Sequence, residues 1–557
     1  MRLLLLSFMA LAAGAQTYDL VISNGRVIDG TGNPWFYGDI GIRGDRIVKI
    51  APHGLLRNAP AKERIDATGL VVAPGFIDIQ AQSRGALLTG DGRVISKVTQ
   101  GVTTEIMGEG WTNAPANDKT ATAEQGLGRG VNANFQGPHA FDAWLRAMQK
   151  HGGSVNFGSF VGATTIRQYV KGMAQGTPTQ AETEQMQTLV RQAMEDGAFG
   201  IASALIYPPG NYATTEELVA MAKAMSPCGG VYITHMRSEA DQFLEAIDEA
   251  FRIGREGGVP VEIYHLKAGG QRNWPKAAQA IAKIDAARAA GQDVGADMYL
   301  YTAGGTGLSA CLPPWSSADG KLFENLANPT VRAKIKSEML SDKTDWENLC
   351  LLAGGDGVLI AGLSKPENKQ YVGKNLSQIA AMMHKDLQDA AMDLILSDRT
   401  RVETVFFMMS EDNIKLQLKQ PWIKIGTDAS GLNPEQTRNL AHPRSYGNYP
   451  RALGKYVREE GVTSLEDMVR KMSSSVARRL SIQDRGILQE GLSADIVVFD
   501  ANKIIDHATY EQPHQLSTGV IDVFVNGVAV VRDGKHTGAQ PGRIVRGPGY
   551  MPASGSN

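Results

Sequence analysis

Apolar positions along the chain follow two patterns. Near both ends they alternate with polar ones over short runs, as strands with one buried face do. Through the middle they form unbroken β-branched runs separated by stretches of helical period. The opening run, TYDLVISNGRVIDGTGNPWFYGDIGIRGDRIVKIAP, is punctuated at Asn24-Gly25, Asp29-Gly30 and Gly44-Asp45, each a hairpin signal. A similar pair of runs, ADIVVFDANKII and VIDVFVNGVAVVRDGK with Asn526-Gly527, lies near the other end. Neither set is long enough to make a sandwich alone, so together they predict one small β-sandwich domain built from residues 16–72 and 483–546.

The middle, 73–482, alternates strands with helices. Strands are expected over Val71 to Ile79, Thr103 to Met107, Val155 to Val161, Phe199 to Leu205, Gly230 to His235, Val259 to His265, Asp293 to Tyr299 and Trp422 to Asp428. Helical patterns such as Ala181 to Glu195 and Asp241 to Gly254 sit between them. Parallel strands with crossover helices in that number predict an α/β (β/α)₈ TIM barrel, with reactive side chains at the C-terminal ends of the strands. The stretch near 303–400 exceeds any crossover and reads as an insertion over the barrel mouth. It carries LPPW at Leu312 to Trp315 and strand-like runs at Val358 to Ala361 and Val402 to Met408, either of which is also a candidate barrel strand.

Composition adds bounds. The 557 residues are 43% hydrophobic with a formal charge of -2, which gives a large core and no electrostatic footprint for nucleic acid. No internal run reaches the length of a membrane span. The start, MRLLLLSFMALAAGAQT, joins Arg2 and a leucine-rich run to Ala13-Gly14-Ala15, the pattern of a secretory signal peptide over 1–15, so the mature protein is expected to be secreted or periplasmic. Three scattered cysteines, Cys228, Cys311 and Cys350, give no disulfide framework and read as core residues. Residues 547–557 read as a tail.

The candidate chemistry lies at two strand ends. VYITH closes on His235 and VPVEIYH on His265, each after a Gly-rich turn, so both imidazoles rise to the same end of the sheet. One such histidine is ordinarily a hydrogen-bonded rim residue; two on successive strands read as ligands of one metal ion.

The first barrel strand, VVAPGFIDIQAQS, resembles the opening of the metal-dependent amidohydrolase superfamily, with Gln80 and Gln82 where GFID-x-H-x-H usually stands. TQGVTTEIMGEGWTNAP, ASALIYPPGNYATTEEL, THMRSEA, YHLKAGG, DMYLYTAGGTGL, IGTDAS and AHPRSYGNYPRALGKYVREEGV then resemble its D-aminoacylase branch in order. GxLxxGxxADIVVFD follows at Gly486 to Asp500. Glu109 occupies the place of that branch's usual cysteine.

The resemblance implies a zinc site of Glu109, His235 and His265. Because Gln is a poor zinc ligand, it implies one Zn2+ per chain and not two. N-acetylglucosamine-6-phosphate deacetylases resemble this combination of amides with a Glu-His-His site. The expected reaction is hydrolysis of N-acyl-D-amino acids, small-molecule substrates, with Asp428 as proton shuttle; a helix N-cap is the alternative role for Asp428. Tyr207 is expected at the scissile carbonyl, and Lys267, Tyr299 and Arg444 at the substrate carboxylate. Lys267 lies two residues past His265 and so on the same side of a regular strand, while Arg444 is equally a residue that ties its loop down. Gly305 replaces the branch's usual serine, with Thr306 the nearest substitute. A different amidohydrolase, acting on a cyclic amide or an acylated sugar, and a non-catalytic binding protein on the same scaffold stay open.

Overall fold

The run Val71 to Ile79, one strand by pattern, is cut in two at Pro74-Gly75. A Cβ on Gly75 would meet the Thr103 side chain at 2.2 Å, so the chain turns there where only glycine fits. The half before the cut belongs to an outer sheet and the half after it opens the barrel.

The computed structural model describes residues 17–128 and 134–552, and the expected signal peptide lies outside them. Five strands come first: β1 (Tyr18–Val27), β2 (Phe36–Arg43), β3 (Arg46–Pro52), β4 (Ala61–Asp66) and β5 (Val71–Pro74). Barrel strands β6 (Phe76–Asp78), β7 (Val102–Met107), β8 (Asn156–Ser159), β9 (Val161–Gly162), β10 (Gly200–Ala204), β11 (Val231–His235), β12 (Val261–Ile263) and β13 (Val294–Met298) follow. An insertion carries β14 (Ala303–Gly307), β15 (Val358–Gly362) and β16 (Glu403–Phe407) before β17 (Ile423–Ile425) returns to the barrel. The described chain's last strands are β18 (Ile496–Phe499), β19 (Val520–Val525), β20 (Val528–Arg532) and β21 (Lys535–His536).

Both sets of end strands join in one nine-stranded sheet that forks at β1, whose first half pairs β4 and whose end pairs β5. The period of two sorts its faces. Ile496 and Val498 of β18 enter a core shared with Leu20, Ile40 and Ile42, while Val497 and Phe499 face the barrel side. Gly44-Asp45 and Asn526-Gly527 are the expected tight turns, between β2 and β3 and between β19 and β20. Asn24-Gly25 is not a turn: it is a bulge inside β1, where the register against β2 shifts, with Asn24 at φ 65° and its Nδ2 donating to Asp66 Oδ1 at 2.9 Å. A tertiary partner captured a local turn signal.

β8 and β9 are one strand interrupted at Phe160, so eight parallel strands make the barrel. It closes between its last and first strands: Asp428 N donates to Gln80 O at 2.8 Å and Gln82 N to Ala429 O at 3.0 Å. Val231 and Ile233 of β11 enter a cluster with Ile77 and Ile106, while Tyr232 packs with residues of the surrounding helices. His235 continues the face of Val231 and Ile233 by the two-residue period. The crossover helix Gln180–Glu195 begins at a capping box, Thr179 with Glu182, and buries Met186, Val190, Ala193 and Met194 along one stripe.

The insertion is a small unit of its own. β14, β16 and β15 form an antiparallel sheet over a separate apolar core. Neither strand-like run within it is therefore a barrel strand. Cys311 and Cys350 are disulfide-bonded within this unit, which corrects the reading of all three cysteines as unpaired; Cys228 is free. A pair 39 residues apart leaves no local spacing signal. The expected tail is also partly packed, since Met551 N donates to Glu195 O at 2.9 Å. Among the described residues no helix is long and apolar enough to cross a membrane.

Beneath the closing seam Lys97 is fully buried, its Nζ 2.6 Å from Asp78 Oδ2, 2.6 Å from Thr427 Oγ1 and 3.3 Å from Glu105 Oε1. One ammonium thus holds carboxylates from β6 and β7 beside the loop that leaves β17. Lys97→Met strands two buried carboxylates, and removal of one partner of a buried ion pair costs about 3–5 kcal/mol. Denaturant unfolding is expected to show that loss; a cost below about 1 kcal/mol, the level of exposed pairs, would show the cluster to be peripheral to stability.

Candidate metal centre

Each member of the triad is delivered by the end of a strand. Glu109 follows β7 between Gly108 at φ 112° and Gly110 at φ 67°, a double left-handed turn that swings its carboxylate over the barrel axis. Side chains at those glycines would strike Phe160 O at 2.4 Å and Ala204 Cβ at 2.7 Å. His235 ends β11, and His265 leaves the sheet two residues after β12, at φ 34°.

The three donor atoms converge. His235 Nδ1 lies 3.2 Å from Glu109 Oε1 and 2.9 Å from His265 Nε2, and His265 Nε2 lies 3.2 Å from the same Oε1. Donors about 2.0–2.1 Å from a tetrahedral zinc stand about 3.3 Å apart, so one face of such a shell fits this triangle. A carboxylate with two imidazoles is also a zinc-type donor set. Electrostatics agree. Burial and the Lys267 ammonium pull the His265 imidazole down, but the carboxylates of Glu239 and Glu109 outweigh them and raise it to about 10. Positive charge is stabilised at that point, and a cation can replace the proton that supplies it.

Glu109's other oxygen is accounted for as well. Gln80 Nε2 donates to Oε2 at 2.8 Å and Gln82 Nε2 at 2.7 Å. An amide oxygen would repel the carboxylate, so both amides turn their N–H groups towards it. The two glutamines thus fix the rotation of Glu109 and leave Oε1 for the metal.

Glu239 is the residue that sequence reasoning passed over, although it stands within THMRSEA, four places after His235. Its Oε1 lies 2.9 Å from His265 Nδ1 and 2.6 Å from Lys267 Nζ, and its Oε2 lies 3.6 Å from His235 Nε2. Metal ligation through His265 Nε2 requires the proton on Nδ1, and Glu239 is the acceptor for it. Lys267 Nζ, 2.7 Å from the same Nδ1, donates to it only in the tautomer that forfeits Nε2. Burial opposes ionisation of Glu239, yet Lys267 and the two histidines hold its carboxyl well below the usual carboxylate range.

The other expected residues line the same cavity, of about 890 Å³. Lys267, expected at the substrate carboxylate, lines the cavity with its ammonium paired to Glu239. The regular strand assumed for it ends at Ile263, and the positive φ of His265 breaks the two-residue period. Asp428 caps no helix: the next one begins at Arg444. Its Oδ2 forms an ion pair with Arg444 at 2.8 Å, and its Oδ1 accepts from Gln82 Nε2 at 3.3 Å. Burial pushes its carboxyl up, against the pull of Arg444.

Arg444 is only 4% exposed, yet its Nε and one terminal nitrogen have no hydrogen-bond partner. It does tie its loop down, donating to Gly305 O at 3.3 Å, and its guanidinium stacks 4.4 Å from the Tyr299 ring centroid. His442 braces it: the Arg444 backbone N–H donates to Nδ1 at 3.1 Å, and Nε2 donates to Ala303 O at 2.9 Å. Tyr207 lies with its ring 5.3 Å from that of His235, and burial raises its hydroxyl so that it stays protonated. Thr306 lines the cavity and accepts from Arg401 at 3.3 Å.

A (β/α)₈ barrel with a zinc-type triad over the C-terminal ends of its strands, and a buried carboxylate beside it, defines a metal-dependent amidohydrolase. Residues 379–531 match the model described as Amidohydrolase family. The chain is 35% identical to the D-aminoacylase of Alcaligenes xylosoxydans xylosoxydans over 533 residues, 95% of this chain and 98% of that protein. It therefore belongs to the D-aminoacylase family of metal-dependent amidohydrolases. A solved D-aminoacylase, with a binuclear centre described as activated by one metal and attenuated by a second, is 33% identical with a TM-score of 0.79, over 95% of this chain and 100% of that one. The N-acyl-D-glutamate deacylase of Bordetella bronchiseptica, solved with zinc and a phosphonate mimic of the tetrahedral intermediate, is 30% identical with a TM-score of 0.78, over the same shares.

If Glu239 sets the His265 tautomer, Glu239→Gln weakens zinc binding by about 10–100-fold, as loss of such a partner does elsewhere. Competition against a chromogenic chelator measures this. Unchanged affinity would leave Glu239 as no more than a partner for Lys267.

Proposed function

We propose that the protein hydrolyses the amide bond of N-acyl-D-amino acids with one zinc ion per chain, releasing a carboxylate and a free D-amino acid. The observation that carries this reading is that one cavity holds both the Glu109, His235 and His265 triad and a buried guanidinium, Arg444, with unpaired donors. An N-acyl amino acid presents a matching pair, an amide carbonyl and a carboxylate.

When bound, zinc supplies a Lewis acid that polarises a carbonyl and acidifies a water. The remaining work falls to side chains. The free donors of Arg444 take the substrate carboxylate, with Tyr299 stacked behind the guanidinium. The protonated Tyr207 hydroxyl donates to the scissile carbonyl. Asp428, drawn towards its protonated form by burial, accepts a proton from the attacking water and delivers it to the leaving nitrogen, which cannot depart as an amide anion. Arg444 also bonds Asp428, so it links substrate anchorage to the proton carrier. Lys267 acts through Glu239 and His265 in this reading.

A second ion is disfavoured by Gln80 and Gln82. Both stand where the family usually places imidazoles, and both direct their N–H groups at Glu109.

N-acyl-D-amino acids are expected to be cleaved in preference to their L counterparts and to hydantoin-type rings, and a protein that cleaves none of the D compounds refutes the assignment. Asp428→Asn keeps shape and removes the base, so kcat is expected to fall by about 10²–10⁴ with KM little changed; near-normal kcat would remove Asp428 from the proton path. Metal analysis is expected to give about one zinc per chain, with no attenuation by further zinc, and two tightly held ions would sink the mononuclear reading. Export is supported by the Cys311 to Cys350 disulfide, a bond that persists in oxidising compartments. Terminal sequencing of the native protein is expected to start near Gln16, and an intact Met1 counts against it.

A further inference from the structure

Most charges around the cavity cancel in pairs. Asp428 takes Arg444, Glu239 takes Lys267 and Glu403 takes Arg401. Arg84 is the exception. It lies just past β6, at the start of the helix Arg84–Leu88, and forms no ion pair or side-chain hydrogen bond with any described residue, although it lines the cavity beside Gln82 and Glu109. Glu124, the carboxylate with the largest influence on it, accepts from Gln168 Nε2 at 3.2 Å and makes no ion pair with Arg84.

Arg401 reaches the same cavity from the insertion, two residues before β16. Glu403 holds its Nε at 3.0 Å and Thr306 Oγ1 one terminal nitrogen at 3.3 Å, on a side chain 39% exposed. Burial pulls Arg84 below its usual range and Arg401 adds to the pull, while Glu124 opposes them. A guanidinium does not deprotonate at these costs. Arg84 is thus a cavity-lining guanidinium without an ion-pair or side-chain hydrogen-bond partner among the described residues, and a bound anion would supply one.

We propose that Arg84 and Arg401 form a second anion subsite, separate from Arg444, that selects N-acyl amino acids bearing a second carboxylate. That group is on the amino-acid side chain or at the far end of the acyl chain. The inference rests on the N-acyl-amino-acid reading above and names the substrate class within it. The cavity lies within the range of ordinary small-molecule pockets, about 300–1,000 Å³. The two arginines come from different elements, the helix after β6 and the insertion, and line the same cavity. Arg444 cannot serve both carboxylates, because it is tied to Asp428 and the Gly305 carbonyl.

Steady-state rates on isosteric acid and amide pairs test this: N-acetyl-D-glutamate against N-acetyl-D-glutamine, and N-succinyl-D-leucine against its succinamoyl counterpart. At least one pair is expected to favour the acid by about 10- to 100-fold in kcat/KM, the size of a charge-assisted contact, and the pair that does so identifies which carboxylate is read. Arg84→Gln is expected to bring that ratio close to one, and Arg84→Lys to keep most of it. Ratios near one for both pairs in the unaltered enzyme, or an equal fall for acid and amide in Arg84→Gln, overturn the subsite. Calorimetric titration of the zinc-loaded Asp428→Asn protein with the same ligands separates this failure from failure of the hydrolytic reading. Acid-selective binding that depends on Arg84 without turnover by the unaltered enzyme keeps the subsite and removes the reaction, whereas absence of acid selectivity in binding removes the subsite.

Discussion

The two oxygens of Glu109 face different demands, and the rest of the site depends on meeting both. Oε1 closes the triangle with the histidines, and a carboxylate offered to a cation must be ionised and fixed in rotation. Oε2 is buried beside it and would lack partners without Gln80 and Gln82. A thiolate at this position would have one donor atom and need no such support. A carboxylate has a second oxygen that requires hydrogen-bond donors, and the amides of Gln80 and Gln82 supply them. Glu109, Gln80 and Gln82 therefore form one coupled set in physical terms. Burial would otherwise raise Glu109, yet its hydrogen bonds with His235 and His265 hold it well below the usual carboxylate range.

Barrel closure sets the distances in this arrangement. Gln80 and Gln82 stand on the first strand and Asp428 follows the last, and the backbone bonds across the seam hold them side by side. Gln82 consequently touches both Glu109 Oε2 and Asp428 Oδ1. A shift of the seam would move Asp428 relative to Glu109, which ties the fully buried Lys97 cluster beneath it to the geometry of the site as well as to stability.

The alternation of apolar runs and glycine turns carried the barrel, the insertion and the joining of the two chain ends, because those features follow from local periodicity. His235 was legible for the same reason, as the last member of an inward face begun by Val231 and Ile233. Other features depend on contacts that no local pattern encodes. Asn24-Gly25 has the composition of a turn, but Asp66 and Asp39 hold it as a bulge. Cys311 and Cys350 meet only because the insertion folds into a unit of its own. Lys267 was placed by extending a strand beyond its end, and its partner Glu239 belongs to another loop. Arg444 was read both as an anion site and as a loop anchor, and the structure shows one side chain with some donors bonded to protein and others unpaired.

The insertion also changes what the barrel can be said to do by itself. Its Gly305 carbonyl fixes Arg444, and Glu347 reaches in to accept the Glu239 backbone N–H at 2.7 Å and the Ser238 hydroxyl at 3.1 Å. Burial and the neighbouring Glu239 raise the Glu347 carboxyl to about 7. Burial is the larger cause of that shift and the Glu239 charge the smaller, so Glu347 serves there chiefly as a hydrogen-bond acceptor from the loop that carries Glu239. The geometry of the strand-end site is thus held by barrel loops and insertion together. The insertion's separate core and disulfide hold its Gly305 carbonyl and Glu347 carboxyl in place against the barrel loops.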